Sequence, residues 1–169
     1  ETARTHAIRI VNSGPAGGSV ACSLMARLAG RPGVIGVDMG GTSFDIGLIE
    51  DGRPLVHSDG MLEGYPVKIP MVDVDGIGAG GGSIAWIDRG SALNVGPQSA
   101  GAEPGPACYG RGGELPTVTD ANVVLGRINP KYFLGGEIAR DPERARGAIA
   151  THVAGPLALS VEDAAYGIL

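Results

Sequence analysis

Apolar and polar residues alternate over residues 7–11, with Ile8 and Ile10 on one side, which predicts a short strand with its apolar side inward. Asn12-Ser13-Gly14-Pro15 ends it, and Ser13 or Gly14 as N-cap with Pro15 in the first turn opens a helix. Val20, Leu24 and Leu28 recur at every fourth position until Gly30 and Pro32 stop that helix. Ala16, Gly17, Gly18 and Ala21 make its first half thin, which suits either the close approach of another backbone or a binding role. From Val34 the period changes. An apolar run covers residues 34–38, then Phe44, Ile46 and Leu48 alternate with Ser43, Asp45 and Gly47. Asp51-Gly52 predicts a hairpin into residues 54–57, giving three antiparallel strands in a meander.

A further extended stretch over residues 67–74 leads into a glycine run from Gly76 to Gly82, and residues 84–87 form a short strand that turns at Asp88-Arg89-Gly90. Residues 95–117 are dense in glycine and proline and predict a long loop, ordered or flexible, of the length that usually carries function. Helices are predicted from Thr117 or Thr119 to near Gly126, from Asp141-Pro142-Glu143 to about His152, and onward from Ser160. No repeat or linker interrupts the 169 residues, so the chain is expected to be one domain over 1–169; its start at Glu1 and its stop inside a helix suggest a part of a longer protein.

Composition narrows the class. The 30 glycines far exceed the dozen or so that average usage of about 7% would supply, so many tight turns and close backbone approaches are expected. They cluster between apolar runs without a period, which excludes collagen-like and low-complexity chains. A net charge of -5 without a basic cluster argues against nucleic acid or an anionic membrane as partner. No apolar run reaches the roughly 18 to 20 residues of a bilayer span, and a cytoplasmic setting is expected. Cys22 and Cys108 fit no metal or redox spacing and are expected to be reduced.

The candidate chemistry centres on Asp38-Met39-Gly40-Gly41-Thr42-Ser43-Phe44-Asp45. An apolar strand delivers an aspartate to a two-glycine turn, and a second strand leaves with another acid. Successive N–H groups in such a turn form a concave anion site, so Gly40, Gly41 and Thr42 are candidates to face phosphate oxygens, with Asp38 holding a metal or its bound water. Taken alone, the octet is equally compatible with an ordinary hairpin. Gly76 to Gly81 satisfies G-x-G-x-x-G, yet only residues 83–87 separate it from the next turn, too few for the helix a dinucleotide site requires. The stretch from Gly78 to Ser83 is either a second backbone nest or a bulge. Asp73 and Asp75, on one side of a strand, are a weaker candidate pair for a divalent ion. His6, His57 and His152 lie too far apart in sequence for zinc-enzyme spacing, Ser13, Ser83 and Ser99 lack a nucleophile-elbow context, and Cys108 has no basic neighbour nearer than Arg111.

The order of strand, small-residue helix, strand, Asp38 to Asp45 turn and strand resembles the second half of the actin, sugar-kinase and chaperone ATPase fold. The strings Ser13-Gly-Pro-Ala-Gly-Gly18, Asp38 to Asp45, Ile77-Gly-Ala-Gly-Gly-Gly-Ser-Ile-Ala85, Val95-Gly-Pro-Gln-Ser-Ala-Gly-Ala102, Pro104-Gly-Pro-Ala-Cys-Tyr-Gly110 and Pro116-Thr-Val-Thr-Asp-Ala-Asn122 with Leu125-Gly-Arg127 resemble the hydantoinase A, 5-oxoprolinase and acetone carboxylase β-subunit family. The resemblance implies an α/β, ribonuclease H-like lobe with a mixed sheet and flanking helices, incomplete here. It implies an ATP-dependent enzyme, with Mg2+ or Mn2+, that phosphorylates a cyclic amide such as a hydantoin or 5-oxoproline. The partner is then a hydantoinase B-type subunit or domain, in an oligomeric full-length protein.

On that resemblance Gly40, Gly41, Thr42, Ser43, Gly80 and Gly81 bind the cofactor, Asp38 and Asp45 are catalytic, and Asp38 is the metal ligand. The family's N-terminal Asp-Gly-Gly-Thr motif and its later adenosine-binding glycine segment are not in this chain, so the isolated piece is expected not to turn over ATP. The alternatives are ketone activation of the acetone carboxylase type and a non-enzymatic ATP switch of the actin or chaperone type. The loop between Gly96 and Gly113 favours the enzyme, which can use it as a wall or lid.

Overall fold

A computed structural model describes residues 2–5, 13–62, 64–132 and 140–169. The strand expected over 7–11, and His6, lie outside the described residues. Two compact units are distinguished: Glu1–Asp38 with Phe44–Ile77, and Met39–Ser43 with Gly78–Leu169.

The first unit begins with a single helical turn, α1 (Thr2–Thr5), and the predicted helix, α2 (Ser13–Leu28). Its sheet comprises β1 (Val34–Met39), β2 (Phe44–Glu50), β3 (Arg53–Pro54) and β8 (Val74–Ile77). β2 lies between β1 and β3, and β8 also pairs with β2. β3 takes the end of β2, with Ile49 opposite Pro54, while β8 runs antiparallel to its start, with Phe44 opposite Ile77 and Asp45 opposite Gly76. The predicted turn holds: Asp51 and Gly52 both have positive φ, 50° and 68°. Beyond it the strand expected over 54–57 breaks at Leu55 into β3 and β4 (Val56–His57). β4 pairs antiparallel with β7 (Met71–Val72), and β5 (Gly60–Leu62) with β6 (Tyr65–Val67), so the residues between β3 and β8 form nested hairpins.

α2 buries a different face from the one its apolar row suggests. Val20, Leu24 and Leu28 are 58%, 50% and 73% exposed, whereas Ser19, Ser23 and Ala26 are buried. The reason lies in the sheet, which meets the helix with glycines. A Cβ at Gly36 would stand 2.8 Å from the Cys22 Sγ, one at Gly52 would stand 2.9 Å from the Arg27 Cγ, and one at Gly47 would strike the Ser19 hydroxyl. Small residues on both sides bring the helix close, and the Ser23 hydroxyl then donates to the Gly52 carbonyl at 2.5 Å, with Arg27 Nη1 donating to the same oxygen at 3.1 Å. On β2 it is Gly47 and Ile49 that are buried, and Leu48 is exposed.

The second unit is built on a hairpin of β9 (Ser83–Ile87) and β10 (Leu93–Ser99), antiparallel, with Val95 opposite Ala85 and an irregularity before Ser99. The turn is closed by Asp88, whose Oδ1 accepts from the amides of Ala92 and Gly90 at 2.9 and 2.8 Å; those bonds hold its carboxyl below the usual range. β10 corrects the sequence reading, because the loop expected from residue 95 starts only after Ser99. Among the described residues, the α-helices α3 (Val118–Val124), α4 (Pro142–Ile149), α5 (Gly155–Leu157) and α6 (Val161–Ile168) follow. Thr117 and Asp120 form a capping box on α3, Asp141 caps α4, and Ser160 caps α6, as their sequences predict. α4 passes into a π-helical turn, Ala150–Ala154, instead of ending at His152. The core between hairpin and helices is largely alanine, with Ala85, Ala121, Ala154, Ala164 and Ala165 around Ile149, Val153 and Ile168. Among the described residues no helix is long and apolar enough to cross a membrane.

Candidate functional site

The octet divides between the two units. In the first, Asp38 is the exposed penultimate residue of β1 and Asp45 the half-buried second residue of β2. Both line a small cavity of about 30 Å3, with Ser19 and Cys22 of α2 on its wall. That is room for about one water, so the two acids border a single polar point and not a ligand-sized pocket. A Cβ at Gly18 would lie 3.7 Å from Asp38 Oδ2, an ordinary van der Waals contact, so the start of α2 passes beside this carboxylate without clashing with it.

In the second unit the turn itself is closed by a hydrogen bond from the Gly40 amide to the Ser43 carbonyl at 2.9 Å. Its carbonyls are gripped by the glycine run. The Gly81 amide donates to Gly40 O at 3.0 Å and the Gly82 amide to Gly41 O at 2.7 Å, while Gly80 N–H is taken by the Ser83 hydroxyl at 2.9 Å. The Ser99 hydroxyl adds a long contact to Gly41 O at 3.5 Å. The nest expected at Gly80 and Gly81 is therefore already filled from within the protein, and the run works as a clamp. A bulky side chain cannot enter it: a Cβ on Gly80 would lie 2.7 Å from the Gly41 carbonyl carbon, and one on Gly82 would lie 2.8 Å from its oxygen. Among the described residues, nothing takes the amides of Gly41 and Thr42. Both residues are exposed.

Gly40, Gly41 and Gly81 line a cleft of about 410 Å3, a volume in the range of small-molecule sites. Its other walls come from residues that the sequence patterns did not single out as site residues. Thr119 and Asn122 of α3 border it, with Tyr109 and Arg140 on another side. The Thr119 amide donates to Gly81 O at 2.8 Å, which fixes α3 to the clamp. Arg140 stacks on Tyr109, its guanidinium carbon 5.0 Å from the ring centroid and Nη2 3.3 Å from the hydroxyl. Thr42 and Ser43 line neither the cavity nor the cleft.

The glycine and proline loop is ordered around Asp120, which has no exposed surface. Its carboxylate accepts from the amides of Ala107, Cys108 and Thr117 at 3.2, 2.8 and 2.9 Å and from the Thr117 hydroxyl at 2.8 Å. Beside it, Cys108 is fully buried; burial, and then the Asp120 charge, push its thiol up, so it is not a nucleophile. The remaining candidates are dispersed. Asp73 contacts His57 Nδ1 at 3.1 Å, Asp75 stands opposite Ile46 in the sheet, and His152 sits exposed in the π turn. Among the described residues no three His, Cys, Asp or Glu side chains gather as a metal cage. A magnesium ion suits such a chain through one or two carboxylates with phosphate oxygens completing its shell, and Asp38 can offer one.

The comparisons assign the class: the chain belongs to the hydantoinase/oxoprolinase family, whose model matches residues 1–169. It is 49% identical over 166 residues to the caprolactamase subunit alpha of Pseudomonas jessenii, covering 98% of this chain and 24% of that subunit. The crystal structure of the ATP-dependent caprolactamase from the same organism superposes with a TM-score of 0.82 at 50% identity, over 93% of this chain and 23% of that one. A nucleotide-free acetone carboxylase, solved in work on ATP-dependent acetone carboxylation, gives 0.83 at 39% identity, over 92% and 22%. The chain thus spans about a quarter of the length of these relatives.

Proposed function

We propose that this chain is part of an ATP-dependent enzyme that phosphorylates and opens a cyclic amide, and that it supplies the second phosphate-binding hairpin of a hydantoinase A-type ATPase domain. The observation that carries the reading is the clamped turn: the carbonyls of Gly40 and Gly41 are held from behind by Gly81 and Gly82, while the amides of Gly41 and Thr42 remain available. Donors fixed before the ligand arrives need no reorganisation to stabilise phosphate charge. ATP supplies an activated phosphoryl group, which makes the amide oxygen a leaving group. Gly41 and Thr42 then bind phosphate oxygens, Ser43 closes the turn, Gly81 and Gly82 hold it rigid with Gly80 packed against it, and Asp38 with Asp45 would hold a magnesium ion or the attacking water. The sequence of small-residue helix, strand, glycine turn and strand supports a ribonuclease H-like, actin-type lobe, with a B-type subunit or domain completing the hydrolase.

The likeness to acetone carboxylase keeps one second reading open, activation of a ketone for carboxylation. Both are tested by substrate-stimulated ATP hydrolysis of the full-length protein with ε-caprolactam, hydantoin, 5-oxoproline and acetone. Stimulation by a lactam or imide supports the first reading, and stimulation by acetone with bicarbonate supports the second. Asp38→Ala should lower the stimulated rate by about a hundredfold or more with the fold intact; an unchanged rate removes Asp38 from the mechanism. Stimulation by none of the four, with the fold and partner complete, removes the enzymatic reading in favour of a switch.

A further inference from the structure

We infer that the cleft beside the Gly40–Gly41 turn is the pocket for the phosphoryl acceptor, and that Thr119 and Asn122 select a ring amide there by reading its carbonyl and its N–H together. This rests on the reading of the protein as an ATP-dependent amide hydrolase.

Thr119 is only 7% exposed, yet among the described residues its hydroxyl has no hydrogen-bond partner, and the residue lines the cleft. The hydroxyl is not sealed from the cleft, since it is not one of the buried polar atoms left without a partner among the described residues, so it is open to a ligand that enters there. Its position is fixed, because its amide is bound to Gly81 O at 2.8 Å. Asn122 lines the same cleft, and its Nδ2 donates to the Val118 carbonyl at 2.9 Å. That bond uses one N–H of the amide group and fixes the side chain's orientation, leaving Oδ1 available as an acceptor. The two residues stand three apart on α3, the spacing that makes helix side chains neighbours. A donor and an acceptor side by side match a ring amide, in which closure holds the C=O and N–H on the same edge. An open-chain trans amide puts them on opposite edges, and a ketone has no N–H at all. Val118 and Ile128 provide apolar wall for the ring carbons, and among the described residues no carboxylate lines the cleft to repel the oxygen.

In the phosphoryl step, the amide oxygen bonds to the γ-phosphorus as the bond from that phosphorus to the β,γ-bridging oxygen breaks. ADP leaves carrying the electron pair of the broken bond, and the resulting O-phosphorylated amide gives up its N–H proton to solvent water as the imidate forms. Asn122 Oδ1, accepting from that N–H, holds the proton at the point from which it departs, and Thr119 aligns the oxygen without blocking its second lone pair.

The test uses the full-length protein with its partner and the best substrate among ε-caprolactam, hydantoin and 5-oxoproline, with the N-methyl form of that substrate as the probe lacking the donor. Thr119→Val should raise KM for the amide about tenfold and Thr119→Ser by no more than about threefold, with KM for ATP moved less than the amide's in both. Wild type should prefer the N–H amide to its N-methyl form by about tenfold, and Asn122→Leu should erase that preference. If the amide stimulates ATP hydrolysis but Thr119→Val leaves its KM within twofold, or shifts KM for ATP as much, the pocket assignment is overturned while the function stands. Should Thr119→Val fail to fold, equal use of the N–H and N-methyl amides by wild type overturns it instead. If no amide stimulates ATP hydrolysis, the functional reading falls, and this assignment with it.

Discussion

The Gly82 amide donates to the Gly41 carbonyl at 2.7 Å, and this bond between two glycines far apart in sequence holds the Gly40–Gly41 turn in shape. It makes the two glycine clusters respond in opposite ways to an added methyl group. A Cβ on Gly80 lies 2.7 to 2.8 Å from backbone atoms of Gly41 and Thr42, which cannot rotate aside, so Gly80→Ala should destabilise the protein by about 1–3 kcal/mol. A Cβ on Gly41 meets nothing within 4 Å. Gly41→Ala should therefore keep stability within about 0.5 kcal/mol yet lower stimulated ATP hydrolysis, since the methyl occupies the face where phosphate is proposed to sit. Urea unfolding and rate measurements on the same two variants check this, and equal stability losses would refute the asymmetry.

Asp120 gives a second prediction. Its carboxylate accepts from three amides and a hydroxyl, and the Cys108 thiol bonds to it as well. Asp120→Asn introduces an NH2 group among these donors, and Asp120→Ala leaves them all without an acceptor. The expected losses are about 2 kcal/mol or more for Asn and larger for Ala. Circular dichroism melts measure them, and a limited proteolysis time course should show faster cleavage between residues 100 and 117 in both variants. An Asn variant as stable as wild type would mean that the loop is held by other contacts.

The features legible in the sequence were those that a few adjacent residues determine. Caps at Thr117, Asp141 and Ser160, the Asp51-Gly52 turn and the strands either side of Gly40-Gly41 all follow from local chemistry. Contacts between distant segments were not legible. The apolar row of α2 pointed to Val20, Leu24 and Leu28, because nothing near them reveals that Gly36, Gly47 and Gly52 would draw the Ser19 and Ser23 face inward instead. β10 was hidden by Gly96-Pro97, a pair that ordinarily ends a strand. The clamp required knowing that Gly81 and Gly82 meet Gly40 and Gly41, and Thr119 with Asn122 entered the site only once α3 was seen against that clamp. A capping sequence such as Thr117-Val-Thr-Asp120 explains itself fully as a helix start, so it gave no reason to look further.

The two cysteines should separate chemically. Cys22 is half-buried on the wall of the small cavity, and Cys108 is fully buried with its thiol pushed up by burial and by Asp120. A disulfide exchange reagent at pH 8 should label Cys22 slowly and Cys108 only after unfolding. The folded Cys108 thiol titrates above the unfolded one, so its contribution to stability is complete below about pH 9 and is lost as the pH rises beyond that. Cys108→Ala should accordingly flatten the decline of Tm between about pH 9 and 10.5. Equal slopes in the two proteins would show that the thiol titrates normally.

The contact between Gly36 and Cys22 tests how closely α2 is packed. A methyl at Gly36 would stand 2.8 Å from the Cys22 Sγ and 3.2 Å from its Cβ, with the Gly47 carbonyl at 3.6 Å behind. Gly36→Ala alone should cost about 1–3 kcal/mol, because the helix must lift from the sheet or the cysteine must leave its rotamer. Cys22→Ala removes the sulfur and a little packing, a loss of about 1 kcal/mol. Combined, the two changes should relieve each other, since the new methyl moves into the space the sulfur vacates. The double variant should then be more stable than the sum of the single losses implies by about 0.5–1.5 kcal/mol, measured as a thermal or urea mutant cycle. Simple additivity within about 0.3 kcal/mol would mean that helix and strand are not in contact at this point, and the account of why α2 hides its small face would have to be abandoned.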